Sequence, residues 1–493
     1  MVQHQAAKDL ATQKQRKTTL PQVNLIDAPP TDAALVKACV ARALIGALQA
    51  RCKAYCLLSG HERLPESFDT DIDFMVSRED FKQLPRIVED VARQTGTQFF
   101  QAVDHELTGR AYFLASLAGS SLTIVQPDAA SDYRHFGALW LRADEVLAGR
   151  RQNSRGLWIP SPAHEFAYYL IKRLNKRSLT EEHGHKLHRL YQQDSLGCDR
   201  MIGRYWSGRG RDALRRMAVC DDWAEMSARI GDFRAEMKHK PAESPAGRLA
   251  SMPGRALHFM DRVTRPTGGW IAFMGPDGSG KSLAIQAMSR QLAPAFRSVE
   301  RFHLRPKVLR GNASSSTAPV TDPHGQRPRG LLASVAKVFF LAADYWLGYA
   351  CKIAPAMRRS RLVLFDRYVY DLLVDSKRVR YGGPRWLLRL AARVAPRPDL
   401  VILLDAPAEV LWKRKQEVPF DEIVRQRAAY LEVARKLPSA VVINAAQPSA
   451  AVIHDCAAAI LAHFARRTAA RLGLQPAAPA GNAIGSETPD YPC

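Results

Sequence analysis

Apolar and polar positions alternate in blocks along the C-terminal half of the chain. Short apolar runs of strand length are separated by stretches of helical length and spacing. The runs cover residues 270–274, 362–365, 400–404 and 441–443, and the stretches include 282–292, 331–349 and 423–437. Strands and helices in alternation form a mainly parallel sheet with helices on both faces. The pattern predicts an α/β, doubly wound unit over residues 266–470.

The N-terminal half has a different pattern. Its spacing predicts helices over 33–50 and 79–95, and strands over 55–58, 72–76, 112–116 and 122–125. From Pro162 onward the spacing is mostly helical. We therefore expect an α+β domain with a helical annex over residues 31–235.

Composition marks the remaining boundaries. Residues 1–30 are polar and residues 471–493 are rich in Pro, Ala and Gly, which is typical of disordered tails. Residues 236–265 repeat Pro and Gly with few large apolar side chains, as interdomain linkers do. We expect two folded domains joined by this linker.

Hydrophobic residues make up 46% of the 493 and charged residues 24%, a balance that excludes a fibrous or wholly disordered chain. The most apolar stretch, 334–355, contains Lys337, Asp344 and Lys352, so we expect no transmembrane segment. The first thirty residues lack the apolar core of a secretory signal. These observations predict a cytoplasmic protein with reduced cysteines.

Basic side chains outnumber acidic ones by 71 to 48, which gives a formal net charge of +23. This excess indicates an anionic partner: a phosphorylated substrate, a nucleic acid or a membrane surface. No nucleic-acid recognition motif accompanies the charge. Basic side chains around a phosphate site would explain much of it, which favours a phosphorylated small molecule.

The strongest motif is GPDGSGKS at residues 275–282, which matches the phosphate-binding pattern GxxxxGK[ST] between an apolar run and a helix. Its glycines let backbone N–H groups surround phosphate oxygens at the positive end of the following helix. We expect ATP or GTP with Mg²⁺: Lys281 would neutralise the β- and γ-phosphates, and Ser282 would offer its hydroxyl to the metal. The expected binding residues are Gly275, Asp277, Gly278, Ser279, Gly280, Lys281 and Ser282.

Asp366 and Arg367 follow the apolar run at 362–365. The carboxyl ends of parallel strands form the edge where doubly wound sheets bind ligands. Asp366 could order Mg²⁺ through water or orient the attacking oxygen, and Arg367 could bind a phosphate through two hydrogen bonds. Both residues are therefore candidates for the chemistry of phosphoryl transfer.

The C-terminal unit resembles the thymidylate kinase family of P-loop nucleoside monophosphate kinases. The resemblance rests on GPDGSGKS, FDRY at 365–368, PDLVILLDAPAEVLWKRK at 398–415 and RQRAAYLEVARKLPSAVVINAAQ at 425–447. It implies that the loop binds ATP, that Asp366 and Arg367 serve the metal and the acceptor phosphate, and that Asp277 lies near the acceptor sugar. It also implies a flexible lid near 413–415. The predicted catalytic residues are Lys281, Asp366, Arg367 and Arg414.

Other basic residues near the lid, Lys415, Arg425 and Arg427, are further candidates for contact with phosphate. Arg425 and Arg427 are two apart on a predicted helix and point in different directions, so they cannot both face the site. The chain also departs from the family, because it has FHLRP at 302–306 where the family has a Glu-Pro-Gly loop. This indicates a rebuilt acceptor pocket, in which His303 and Arg305 either contact the acceptor phosphate or play a structural role.

A second pattern lies in the N-terminal half: Ser59-Gly60, then Asp71-Ile72-Asp73. Alternate residues of a strand share a face, so Asp71 and Asp73 can hold a divalent metal together. The pattern resembles the nucleotidyltransferase fold of the polymerase-β type, which needs a third carboxylate on a later strand. Asp128 lies beyond the apolar run there, and the sequence does not decide whether it reaches the metals. An active nucleotidyltransferase, a binding or degenerate domain and a chance match to the pattern all stay open.

The leading hypothesis is ATP-dependent phosphoryl transfer to a nucleoside monophosphate, such as dTMP to dTDP, or to a related phosphate acceptor. One alternative is a nucleotidyltransferase with an accessory kinase domain. Another is a protein that senses nucleotides without catalysis. The expected partner is a phosphorylated small molecule, and homodimer formation stays open.

Overall fold

The computed structural model describes residues 30–68, 71–106, 108–135, 138–237, 260–309, 330–376, 380–416 and 418–475. Most of the two predicted tails and of the predicted linker lies outside these residues. The domain boundaries therefore stay predictions.

The N-terminal unit is built on a five-stranded sheet in the order β1-β2-β5-β4-β3. Its strands are β1 (Tyr55–Leu57), β2 (Asp71–Val76), β3 (Gln98–Glu106), β4 (Gly109–Ala118) and β5 (Ser121–Ala130). Strands β2 and β5 pair in parallel, and the other pairs are antiparallel. Shorter strand pairs follow: β6 (Asp132–His135) with β7 (Ala138–Arg142), and β8 (Arg151–Gln152) with β9 (Trp158–Ile159).

Helices α1 (Pro30–Arg51) and α2 (Arg78–Gln94) cover one face of this sheet, with Leu44, Phe74 and Leu84 in a shared core. A helical annex packs around Phe166 and Trp206. Its helices, and the short helix before them, are α3 (Ala143–Ala148), α4 (Pro162–Lys176), α5 (Glu181–Gln193), α6 (Ser195–Tyr205), α7 (Gly208–Cys220), α8 (Ala224–Ala228) and α9 (Ile230–Glu236). The α+β arrangement with a helical annex agrees with the sequence pattern.

The C-terminal unit is an all-parallel five-stranded sheet in the order β11-β12-β10-β13-β14. Its strands are β10 (Gly269–Met274), β11 (Val299–His303), β12 (Leu362–Asp366), β13 (Leu400–Asp405) and β14 (Ala440–Asn444). The predicted α/β doubly wound fold is confirmed. Strand β11 was not predicted, because an edge strand of sequence VERFH is only partly buried and contains no apolar run.

Helices cover both faces of this sheet. Those described are α10 (Lys281–Gln291), α11 (Leu331–Gly348), α12 (Ala354–Arg358), α13 (Asp371–Val374), α14 (Arg385–Val394), α15 (Ala408–Arg414), α16 (Phe420–Arg435) and α17 (Ser449–Leu472). One core contains α10 and α17, and another contains α11, α14 and α16. A π-helical turn, Tyr349–Ile353, joins α11 to α12.

The two units share a core. Phe100 and Phe113 lie on the face of the N-terminal sheet opposite helices α1 and α2. They pack in one cluster with Ile285 of α10 and Phe464 of α17. Polar contacts surround it: the Gln101 side chain donates to the Thr267 carbonyl oxygen at 2.7 Å, and other hydrogen bonds join α17 to β3. The N-terminal sheet therefore covers the helix that begins at the phosphate loop.

Among the described residues, two helices are long and apolar enough to cross a membrane, Ala33–Arg51 and Leu331–Arg358, and a third of the apolar window of each is buried. Core helices of globular proteins meet the same criterion. In the first helix Val40, Leu44 and Leu48 are fully buried, whereas in the second Phe339 and Trp346 are exposed. The predicted absence of a transmembrane segment therefore stays a prediction.

Candidate active site

The phosphate loop joins β10 to α10 at the carboxyl edge of the parallel sheet. Gly275, Gly278 and Gly280 have φ angles of 142°, 83° and 88°, which L-residues rarely adopt. A Cβ at Gly275 would also lie 2.5 Å from the Leu404 carbonyl oxygen. The glycines of the motif are therefore required by the path of the backbone.

Lys281 begins helix α10 and is almost completely buried. Its ammonium donates to the carbonyl oxygens of Gly275 and Pro276 at 2.8 and 2.7 Å. Burial lowers the pKa of Lys281 to about 8, and the nearby charge of Arg367 acts in the same direction. Within the described ranges, no carboxylate lies close enough to this charged group to offset its burial, so an anion at the loop would stabilise it.

Arg367 follows β12 with a left-handed backbone, φ 70°. Its guanidinium donates to Asp371 at 3.0 Å and to the Tyr430 hydroxyl at 3.1 Å, and it also pairs with Asp277 of the phosphate loop. Burial alone would lower the pKa of Arg367, but Asp371, Tyr430 and Asp277 outweigh burial and raise it. The structure thus brings together two residues that the sequence placed in separate motifs. Asp371 and Tyr430, which fix the guanidinium, were not predicted.

Asp366 ends strand β12. Within the described part of the chain, its Oδ1 atom is buried without a hydrogen-bond partner, and its Oδ2 atom lies 3.6 Å from Nδ1 of His303. Burial favours a raised pKa for Asp366, but His303, Lys281 and Arg367 outweigh it, so the pKa is lowered and the carboxylate is charged. A buried carboxylate oxygen without a partner indicates a water or metal ligand.

These residues line one cavity of about 340 Å³. The cavity is lined by Asp277, Gly278, Gly280, Lys281, Ser282, Leu283, His303, Asp366, Arg367 and Lys415. The hydroxyl of Ser282 and the carboxylate of Asp366 are oxygen ligands of the kind that Mg²⁺ binds. The residues present therefore fit a magnesium ion.

The predicted lid residues have different surroundings. Arg414 ends α15, and its guanidinium donates to the Ala445 carbonyl oxygen at 2.8 Å. Arg427 makes two hydrogen bonds to Asp405 at 2.9 and 3.0 Å, whereas Arg425 donates to Glu422 and to the Val374 carbonyl oxygen. The two arginines point in different directions, as their spacing predicted. Of the basic lid candidates, Lys415 lines the cavity.

The fold and this cavity define a P-loop enzyme that transfers phosphoryl groups. A family model described as Thymidylate kinase matches residues 273–456. A thymidylate kinase of Limosilactobacillus fermentum is 30% identical over 222 residues, which cover 40% of this chain and 97% of that protein. One from Xanthomonas campestris is 30% identical over 215 residues, which cover 41% of this chain and 87% of that protein.

Among solved structures, thymidylate kinase from Ehrlichia chaffeensis is 16% identical, with a TM-score of 0.27, and the match covers 38% of this chain and 95% of that one. The sequence relatives show that the chain belongs to the thymidylate kinase family through its C-terminal unit. It is a phosphotransferase. The family model does not extend over the N-terminal unit.

The acidic pair of the N-terminal unit lies on β2, and β5 runs parallel beside it with Asp128 directly opposite Asp73. The sequence left the position of Asp128 open, because Asp128 lies beyond the apolar run at 122–125. Strand β5 nevertheless continues through Pro127 to Ala130. Burial raises the pKa of Asp128 to about 6 against the opposing effect of His105, and the charges of Asp73 and Asp71 add to the rise. The three carboxylates therefore form one cluster.

Lys172 of α4 enters this cluster. Its ammonium lies 2.5 Å from Asp73 and 3.8 Å from Asp71, and the Ser59 hydroxyl donates to Asp73 at 2.9 Å. Burial alone would lower the pKa of Lys172, but Asp73 and Asp71 outweigh it and raise the pKa, so the side chain is charged. The carboxylates suit a divalent metal, but such an ion would compete with this ammonium for Asp73.

Proposed function

We propose that the chain transfers the γ-phosphoryl group of ATP to thymidylate, which yields dTDP and ADP. The observation that carries the proposal is the convergence of Lys281, Asp366 and Arg367 on one cavity at the phosphate loop. Curated relatives that the chain covers almost end to end are thymidylate kinases, which supports thymidylate as the acceptor.

Each residue has a role in this proposal. Lys281 exchanges its carbonyl partners for phosphate oxygens, and Arg367, oriented by Asp371 and Asp277, balances charge on the transferred group. Asp366 and Ser282 would hold Mg²⁺, which neutralises phosphate charge when bound. Arg414 and Lys415 would approach the phosphates from the lid.

The test is ADP release by the full chain with ATP, Mg²⁺ and a panel of acceptors that begins with dTMP. We expect dTMP-dependent release, and Lys281→Ala should lower kcat/KM by about a hundredfold to a thousandfold. Lys436→Ala, which removes an exposed lysine paired with Glu432, is the control and should leave the rate unchanged. Tight ATP binding without release for any acceptor would instead favour a nucleotide sensor.

We also propose that the protein acts in the cytoplasm on soluble nucleotides, where ATP is available. All seven cysteines in the described ranges are free thiols, which suits a reducing compartment. Homodimer formation stays a prediction, and the mass of the full chain in solution would test it.

A second candidate function is nucleotidyl transfer by the N-terminal unit. The position of Asp128 opposite Asp73 favours it, because it supplies the third carboxylate that the pattern requires. Incubation of the full chain with labelled nucleoside triphosphates, Mg²⁺ or Mn²⁺ and a panel of hydroxyl-bearing acceptors should transfer the labelled nucleotidyl group to an acceptor hydroxyl and release pyrophosphate, and Asp71→Asn with Asp73→Asn should abolish both. Retention of the release in that double variant would exclude this function.

A further inference from the structure

The loop at residues 304–309 follows edge strand β11 and has an unusual backbone. Leu304 and Lys307 have φ angles of 60° and 53°, in the left-handed region that favours glycine. Such residues persist only where the surroundings hold them, and they are concentrated at functional sites. The surroundings of this loop are therefore informative.

One face of helix α11, continued by the π-helical turn, supplies contacts to the loop backbone. The Tyr345 hydroxyl donates to the Leu304 carbonyl oxygen at 2.6 Å, and the Lys352 ammonium donates to the Pro306 carbonyl oxygen at 2.9 Å. A Cβ on Gly348 would overlap the Pro306 ring, so the helix and the loop are in direct contact at that point. The helix thus holds the loop at several positions.

Asp344 is the central residue of this face, and its side chain is fully buried. One oxygen accepts from the backbone N–H groups of Val308 and Leu309 at 2.7 and 3.0 Å. The other accepts from the Arg305 guanidinium at 3.3 Å, while that guanidinium lies over the Phe340 ring. A buried carboxylate with these donors fixes both the loop backbone and its arginine.

The loop is continuous with the active site. The Leu304 N–H donates to the Asp366 carbonyl oxygen at 2.9 Å, and His303, the preceding residue, pairs with Asp366 across the two strands and lines the cavity. The orientation of residues 303–305 relative to Asp366 thus depends on how the rest of the loop is held.

We propose that Asp344 is a positioning residue for the phosphate acceptor. It holds the loop and Arg305 in place beside Asp366, so that the acceptor pocket is formed before the acceptor binds. It does not contact the reacting atoms. The inference rests on the proposed kinase function. It goes beyond that function, because a residue of helix α11 outside the nucleotide cavity determines the shape of the acceptor pocket.

The first test is Asp344→Asn in the full chain, which keeps the size of the side chain and removes its charge. We expect the KM for dTMP to rise by about tenfold, because the Arg305 guanidinium loses its buried carboxylate partner. The Kd for ATP, measured by calorimetry, should change by less than about twofold, because the phosphate loop makes none of these contacts. A residue with a merely structural role would change both constants or neither.

Gly348→Ala tests the same proposal from the opposite side of the contact, because its Cβ would displace Pro306. Gly330→Ala is the matched control, since Gly330 immediately precedes the same helix and an added Cβ would meet no atom of the described residues within 4 Å. We expect a raised KM for dTMP in Gly348→Ala only. A folded Asp344→Asn or Gly348→Ala protein with the wild-type KM would overturn the proposal.

Hydrogen exchange separates failure of this inference from failure of the proposed function. The amides of Val308 and Leu309 should exchange faster in Asp344→Asn, whether or not an acceptor turns over. If the wild-type protein turned over no acceptor, the proposed function would fall while this measurement still tested the loop. Unchanged exchange rates at Val308 and Leu309 would show that Asp344 does not hold the loop.

Discussion

The two carboxylate sites of this chain, around Asp366 and around Asp73, have opposite surroundings. Asp366 keeps a buried oxygen without a partner in the described part of the chain, and the nearby Lys281 ammonium is hydrogen-bonded to backbone carbonyls. Asp73 is instead paired with Lys172 and accepts from Ser59. The first site is open to an anion and a metal, whereas the second contains its own cation. The presence of acids at a strand end therefore does not by itself define a metal site.

The largest expected difference between the sites is catalytic. Asp366→Asn should lower kcat/KM for dTMP phosphorylation by about a hundredfold, because a charged ligand at the phosphate site is lost. Asp73→Asn should leave this rate within about twofold, because its cluster lies in the other unit. ADP release measured on both variants provides the comparison. Equal losses would show that the two sites act together.

The second difference between the sites concerns the Lys172 ammonium, which lies within the N-terminal carboxylate cluster. Lys172→Met leaves Asp71, Asp73 and Asp128 without their ammonium partner, and we expect a loss of about 3 kcal/mol of unfolding free energy in EDTA. Mn²⁺ should restore much of this stability, and its affinity at the cluster should rise by about tenfold. Denaturant titration with and without Mn²⁺ measures both effects.

Lys82→Met is the control for that variant, because Lys82 lies on α2 of the same unit and is exposed. It should change neither stability nor Mn²⁺ affinity appreciably. Equal Mn²⁺ affinity in the wild type and in Lys172→Met would show that Lys172 does not compete with the metal.

The smallest predicted effect is a proton taken up with ATP. The pKa of Lys281 is about 8 in the free protein, below its ordinary value, so most of this side chain is neutral at pH 9. Bound phosphates favour the charged form, and ATP binding at pH 9 should therefore take up close to one proton. The same shift means that the anion-free protein loses folding stability as the pH falls from 10.5, the ordinary pKa of lysine, to about 8, because the unfolded chain is protonated at Lys281 first.

Calorimetry at pH 9 in buffers with different ionisation enthalpies measures this uptake. The uptake should disappear in Lys281→Met and should be small at pH 7, where Lys281 is already charged. An uptake that persisted in Lys281→Met would assign the proton to another group.

Much of the C-terminal unit could be predicted from the sequence, because its signals lie in adjacent residues. The phosphate loop is a contiguous motif whose glycines meet a local backbone requirement, and strands β10, β12 and β13 are continuous apolar runs. Edge strands were harder to predict from the sequence. Strands β3 and β11 were missed, because β11 has only partly buried and exposed positions and β3 carries polar residues at its end.

The sequence alone therefore determined the class of the C-terminal fold, the nucleotide-binding loop and the Asp366-Arg367 pair, since these follow from local backbone preference and strand-helix periodicity. Only the tertiary structure decided the partners of the charged groups: Lys172 with Asp73 across 99 residues, Asp344 with Arg305 across 39, and Asp128 beside Asp73. The reason is physical. A buried charge is stabilised by whichever group the fold brings within a few ångströms, and periodicity along the chain does not encode that distance.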